Sequence, residues 1–105
     1  MIDHVVMLAV SPGVNDAAIQ SVFVRLYALV EKIDGFVAFE GGRNLDFENK
    51  SPDYPYGFVA TFKDRAALEI YSSDPRHKVL GTELVALCDG DPQNIVVYDL
   101  ERIAF

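Results

Sequence analysis

Tyr71-Ser72-Ser73-Asp74-Pro75-Arg76-His77-Lys78-Val79-Leu80-Gly81 is the stretch on which the reading of the fold turns. Pro75 stops whatever helix precedes it, because the residue before a proline is pushed out of the helical region. A helix therefore ends at Asp74. Around that break sit a phenol and an imidazole, both able to move protons, and His77 is one of only two histidines in the chain. Upstream, Asp64 can cap a helix in which Ala67, Leu68 and Tyr71 share one face. Downstream, Lys78 to Cys88 reads as a further short helix with Leu80, Leu84 and Leu87 in register. Asp89-Gly90-Asp91-Pro92 is a strong turn, and Asn94 to Glu101 is a closing strand.

The first half of the chain follows the same logic. Ile2 to Val10 is apolar and β-branched and ends at Ser11-Pro12-Gly13, a strand and then a turn. Asn15 can cap a helix whose apolar stripe is Ile19, Val22, Phe23, Leu26, Val30 and Ile33. Phe36 to Phe39 reads as a short strand running into Gly41-Gly42, and Tyr56 to Phe62 as the third strand. Arg43 to Pro55, with Asp46, Glu48 and Asp53, is long for a connection inside a small domain, and such loops tend to be functional or mobile. The order is β-α-β-β-α-β with an antiparallel four-stranded sheet, the ferredoxin-like α+β arrangement, in one domain spanning residues 1–105.

Composition narrows the partners. The chain has 105 residues and a net charge of −7, with no Lys/Arg cluster to offset it. That balance repels phosphate backbones, so nucleic acid is not an expected partner. Cys88 is the only cysteine, which leaves no intrachain disulfide and no thiolate zinc site. No segment approaches the ~20 apolar residues needed to cross a bilayer, and the first residues do not resemble a secretory signal. A cytoplasmic protein with no membrane partner is the expectation.

The strands predict a second copy. Side chains alternate across a sheet, so Ile2, His4, Val6 and Leu8 point one way and Val5 and Met7 the other. The last strand sets Val96, Tyr98 and Leu100 against Ile95 and Val97. Both faces are apolar, while a β-α-β-β-α-β chain covers only one with helices. An uncovered face of that size exceeds what monomers usually show, and a homodimer is the simplest cover. The alternative is that the helix near residues 78–88 folds over the open face.

The candidate chemistry is sparse. An imidazole titrates near ~6.5, which suits His77 to general-base work, and the Tyr71 hydroxyl can donate to an oxyanion. Both also have plain structural readings: His77 bonding backbone freed by Pro75, and Tyr71 packed with its hydroxyl at a rim. His4 lies on an apolar strand face as a hydrogen-bonded core histidine or as a second polar contact for a ligand. Asp74 can raise the basicity of His77 or simply end a helix. Nothing pairs Glu40 or Asp99 as an acid or base partner. Cys88 reads as a small buried hydrophobe. No metal, flavin or haem signature is present, so no cofactor and no catalytic metal are expected; a hard cation on the Asp46–Asp53 loop would be an unspecific site.

Taken in order, Ile2-Asp3-His4-Val5-Val6, Gly42-Arg43-Asn44, Tyr56-Gly57-Phe58, Phe62-Lys63-Asp64, Ala67-Leu68, Tyr71, Pro75-Arg76-His77, Gly81 and Val96-Val97-Tyr98-Asp99-Leu100-Glu101 resemble the stress-responsive dimeric α/β barrel (Dabb) domain family over nearly the whole chain. The resemblance implies a homodimer whose two sheets close into a barrel, each protomer keeping a cavity between sheet and helices. A plant branch of that family includes cofactor-free polyketide cyclases, which implies His77 as a base for an aldol closure, Tyr71 as its partner and His4 near the same pocket. The chain departs from that branch at Gly57, where a histidine would stand, at Asp74 in place of the first His of a His-Pro-x-His pattern, and in an insertion at Asp89 to Pro92.

Two functions follow as expectations. One is a homodimeric binding protein that holds a small, largely apolar or phenolic ligand against His4, Phe58 and Leu80. The other is a cofactor-independent enzyme with His77 as catalytic base on a carbonyl ligand and Tyr71 stabilising the enolate. A cofactor-free monooxygenase is the more distant option, since other dimeric α/β barrel families oxidise polycyclic phenols.

Overall fold

A computed structural model of the chain describes residues 1–105. Strands β1 (Ile2–Leu8), β2 (Phe36–Arg43), β3 (Tyr56–Phe62) and β4 (Ile95–Glu101) form one antiparallel sheet in the order β2-β3-β1-β4. Helices α1 (Asp16–Tyr27), α2 (Arg65–Ser73) and α3 (Pro75–Leu87) pack on one face of it. This is the ferredoxin-like arrangement expected from the sequence. Asn15 and Asp64 cap α1 and α2 by accepting from the N–H groups of Ala18 and Ala67, which satisfies donors that a helix start leaves unpaired.

The junction at Pro75 is tighter than the sequence suggested. The expected helix from Lys78 in fact begins at Pro75, so Asp74 ends α2 and caps α3 at once. Asp74 is extended, as a residue before proline should be, and its carboxylate accepts from the Arg76 N–H. Proline fits the first helical position because it has no N–H to leave unpaired there. The breaker of one helix is the starter of the next.

β2 is also longer than the short strand expected, running through Gly41 and Gly42 to Arg43. A Cβ on Gly41 would strike the Phe23 ring 2.8 Å away. Its absence lets Phe23 of α1 sit on the sheet against Phe39 and Phe58, edge to face with ring centroids 5.8 and 5.6 Å away. A second aromatic group, Phe36, Phe62 and Tyr71, fills the space under α2. Cys88 is fully buried in the same core, as its apolar helix face predicted.

The loop from Asn44 to Pro55 is held by its own side chains. The Asn44 amide donates to Ser51 Oγ and the Tyr54 carbonyl, and the Asp46 carboxylate accepts from the N–H groups of Lys50 and Ser51. Asp46 and Asn49 adopt positive φ, which Asp and Asn tolerate better than most residues. At its base, Arg43 and Tyr56 both donate to the Asp16 carboxylate on α1.

α3 contributes Leu80 and Leu84 to the single core beside α1 and α2, so it does not cover the opposite sheet face. That face carries Val5, Met7, Val59, Val96, Tyr98 and Leu100, with Tyr98 and Leu100 more than half exposed. Its polar strip is Asp3, which accepts from Thr61 Oγ1 and from the Arg102 guanidinium. No helix is long and apolar enough to cross a membrane.

Candidate functional site

A cavity of about 650 Å³ lies between the sheet and α3. β1 contributes His4 and Val6 to its wall, β3 Phe58, and β4 Ile95 and Val97. From α3 come His77, Lys78, Gly81, Thr82, Leu84 and Val85, with Pro92 at the lip. The register explains why these meet. His4 and Val6 lie opposite Ala60 and Phe58 on one side and Asp99 and Val97 on the other, all on the helix-facing side of the sheet. The wall is mostly apolar with a few convergent polar groups, the usual make-up of a small-molecule site. Lys78 is the one lysine in its lining, which holds no arginine and no acidic residue.

The two histidines expected near a pocket do share it, and Phe58 lines it as well. Leu80 does not. It was expected to contact a ligand, but it is 6 % exposed inside the core, one helical step away from the cavity side of α3 on which Lys78, Gly81 and Thr82 lie. Sequence reasoning missed Thr82, Val85 and Val97. The signal was available in part, since residues at three- and four-residue spacing from His77 and Lys78 share a helix face.

Tyr71 is placed differently from either reading in the sequence. It is fully buried, not at a rim, and it lies behind His77 with ring centroids 4.0 Å apart rather than on the cavity wall. Its hydroxyl and His77 Nδ1 are both buried without a hydrogen-bond partner, an arrangement that proteins seldom tolerate without a reason. Burial pushes the Tyr71 hydroxyl far above the ordinary phenol range. The same cause lowers the pKa of His77, partly opposed by a backbone approach from Ser72 that does not reach hydrogen-bond geometry. The charges of His4 and Lys78 push further down, and that of Asp74 pushes up. His77 also stands in the first turn of α3, where the helix dipole disfavours a cation. Burial and the helix start both favour its uncharged form.

Asp74 does not act mainly on His77. Its carboxylate pairs with the Arg76 guanidinium at 2.8 Å and caps α3, and these contacts hold its pKa down at about 2. The carboxylate that meets an imidazole is Asp99, for which the sequence suggested no partner. His4 Nδ1 donates to Asp99 Oδ1 at 2.6 Å. A carboxylate only accepts, so Nδ1 carries the proton in this bond, which fixes the orientation of the His4 ring. Antiparallel pairing of the first and last strands puts His4 directly opposite Asp99, and that register was the missing piece.

Gly57 occupies the position where a histidine was implied by the resemblance. A Cβ there would press on the Met7 sulfur and the Val6 carbonyl. In this register residue 57 pairs with Met7 on the uncovered face. A side chain at 57 would point away from the cavity, so the glycine removes nothing from the cavity wall.

The fold and this cavity define a ferredoxin-like α+β domain with an imidazole-bearing pocket between sheet and third helix. The Stress responsive A/B Barrel Domain (Dabb) family model matches residues 2–102, and the chain belongs to that family. A dimeric ferredoxin-like protein of unknown function from Jannaschia sp. CCS1 is 40 % identical, with a TM-score of 0.89 over 96 % of this chain and 98 % of that one. The stress-response A/B barrel domain-containing protein HS1 of Arabidopsis thaliana is 26 % identical over 88 residues, covering 84 % of this chain and 81 % of the relative. A hydroxynitrile lyase from Passiflora edulis superposes with a TM-score of 0.80 over 99 % of this chain and 95 % of its own. At 15 % identity that likeness shows the fold alone.

Proposed function

We propose that this Dabb-family chain works as a homodimer that binds a small, largely apolar ligand with a phenolic or carbonyl oxygen in the cavity beside α3. The observation that carries this reading is the pairing of His77 and His4 across one apolar-walled cavity of about 650 Å³. The apolar walls supply affinity through burial, and the two imidazoles with Lys78 supply orientation. The uncovered apolar sheet face and the dimeric 40 %-identical relative support the homodimer.

A second reading, a cofactor-independent enzyme, has one observation in its favour. Burial lowers the pKa of His77 at the cavity wall and so favours the uncharged ring, the form that accepts a proton from a carbon or hydroxyl of a ligand. The expected role for Tyr71 has less support, because its hydroxyl lies off that wall. His4, oriented by Asp99, is the better-situated second group.

Gly81 gives the test. It lines the cavity, and a Cβ added there meets no atom within 4 Å. Gly81→Leu should fill the cavity while improving the helix, since glycine inside a helix costs roughly 0.5–1 kcal/mol relative to alanine. The expected result is an unchanged or higher melting temperature with loss of 2-naphthol binding, read by fluorescence titration. Undiminished binding in the leucine variant would rule this cavity out as the ligand site.

A further inference from the structure

We propose that the cavity mouth is completed by a second copy of this chain, whose Leu45–Phe47 loop closes over the start of β4. This rests on the homodimer proposed above and deepens it by naming how its sheets meet and what the partner contributes. Leu45 and Phe47 are 85 % and 90 % exposed. They stand on a loop whose backbone is locked by the Asn44 and Asp46 hydrogen bonds and by positive φ at two non-glycine residues. Holding non-glycine residues in that region costs free energy. Nothing within the chain covers the two side chains that the locked loop displays.

The strand register shows which end of the sheet the loop shares. β2 and β4 are the two edges of the sheet, and both carry unpaired backbone groups. Arg43 at the end of β2 pairs with Tyr56, Tyr56 pairs with Leu8, and Leu8 pairs with Ile95 at the start of β4. The end of β2 and the start of β4 therefore lie at the same end of the sheet. In the arrangement proposed, the two sheets close into a barrel about a two-fold along the barrel axis, which keeps that end together. Each β2 edge then meets the partner's β4 edge antiparallel, with the loop after Arg43 beside the partner's Pro92–Ile95. Pro92 and Ile95 of that segment line the cavity. The loop base leans to the helix side, because Arg43 and Tyr56 are drawn to Asp16 on α1.

The area available points the same way. Four strands at ~4.8 Å spacing and ~23 Å long give a flat footprint of roughly 450 Å². A stable interface commonly buries about 800 Å² on each partner. A projecting phenylalanine adds ~150–250 Å², against the apolar cavity residues Ile95 and Val97 of β4.

The test mixes two single-cysteine additions, Phe47→Cys and Gln93→Cys, both at exposed positions, co-refolded from urea so that subunits exchange. Cys88 is buried, and the parent protein serves as its control. A short bismaleimide should cross-link residue 47 of one copy to residue 93 of another in the mixture, identified by peptide mass, and give little product with either variant alone. A dimer by sedimentation that yields no such cross-link, or one that cross-links 47 to 47, overturns this arrangement while sparing the dimer. A monomer by sedimentation overturns both. Leu45→Ser/Phe47→Ser should also weaken 2-naphthol binding about tenfold, the scale of a lost apolar contact; parental affinity in that variant would overturn the closure.

Discussion

Tyr71→Ala should destabilise the protein by about 3–5 kcal/mol, whereas Tyr71→Phe should leave stability unchanged or raise it. The first figure follows from packing. Tyr71 is fully buried against Phe36, Phe62 and His4 on the sheet side and His77 above. Truncation opens a cavity that two stacked layers cannot collapse to fill. A domain of this length has only ~5–15 kcal/mol to lose, so the alanine variant should unfold at markedly lower urea. The second result follows from the hydroxyl, which is buried with no hydrogen-bond partner. Removing an unsatisfied polar atom forfeits no bond and relieves a desolvation penalty. Urea titrations of the two variants separate these terms. A loss above ~1 kcal/mol in Tyr71→Phe would mean that the hydroxyl is bonded in solution, on the scale of one net hydrogen bond, and Tyr71 would regain its claim to a role in the site.

The second large effect is a loss of stability as the pH falls below neutrality, traced to His77. Burial holds the folded pKa of His77 below the ordinary imidazole value, which is ~6.5 in an unfolded chain. As the pH drops, the unfolded chain takes up the proton first. The unfolded state then binds more protons than the native state, and unfolding free energy falls with decreasing pH. The contribution is complete above about pH 7.5 and is lost from ~6.5 down through the folded pKa. Carboxylates lowered by their partners, Asp74 at about 2 with Asp3, Asp16, Asp46 and Glu83, act in the same sense only at lower pH. Urea unfolding at pH 7.5 and 5.5 should show a drop in the parent protein that His77→Gln reduces. Equal drops in the two proteins would show that His77 is not held neutral by its surroundings.

Most of the fold was legible in the sequence because it depends on local signals. Asn15 and Asp64 cap where a short polar side chain precedes an apolar stripe, and the turn at Asp89-Gly90 needs the positive φ that its residues adopt. Even the helix break was readable, although Pro75 as both stop and start required knowing that α3 turns away at once. The uncovered sheet face was readable from alternation alone. What was not legible depended on contacts distant in sequence. The length of β2 depends on Phe23 needing room over Gly41, and the His4–Asp99 pair on two strands 95 positions apart lining up in register. Leu80 shows the limit of periodicity: a helix with one face in the core and another on a cavity offers two apolar sides, and only packing distinguishes them. Tyr71 and His77 illustrate a different limit. Their spacing brings the rings together, but which one reaches the cavity is decided by the aromatic layer of Phe36 and Phe62 beneath them.

The central claim is that His4 and His77 face one ligand. Two-dimensional NMR of the imidazole nitrogens during titration with 2-naphthol tests it most directly. Both histidines should shift with the same dissociation constant, His77 through direct contact and His4 with its Nδ1 proton still held by Asp99. Saturable binding that leaves both imidazoles unmoved, or moves them at different ligand concentrations, would contradict a shared site.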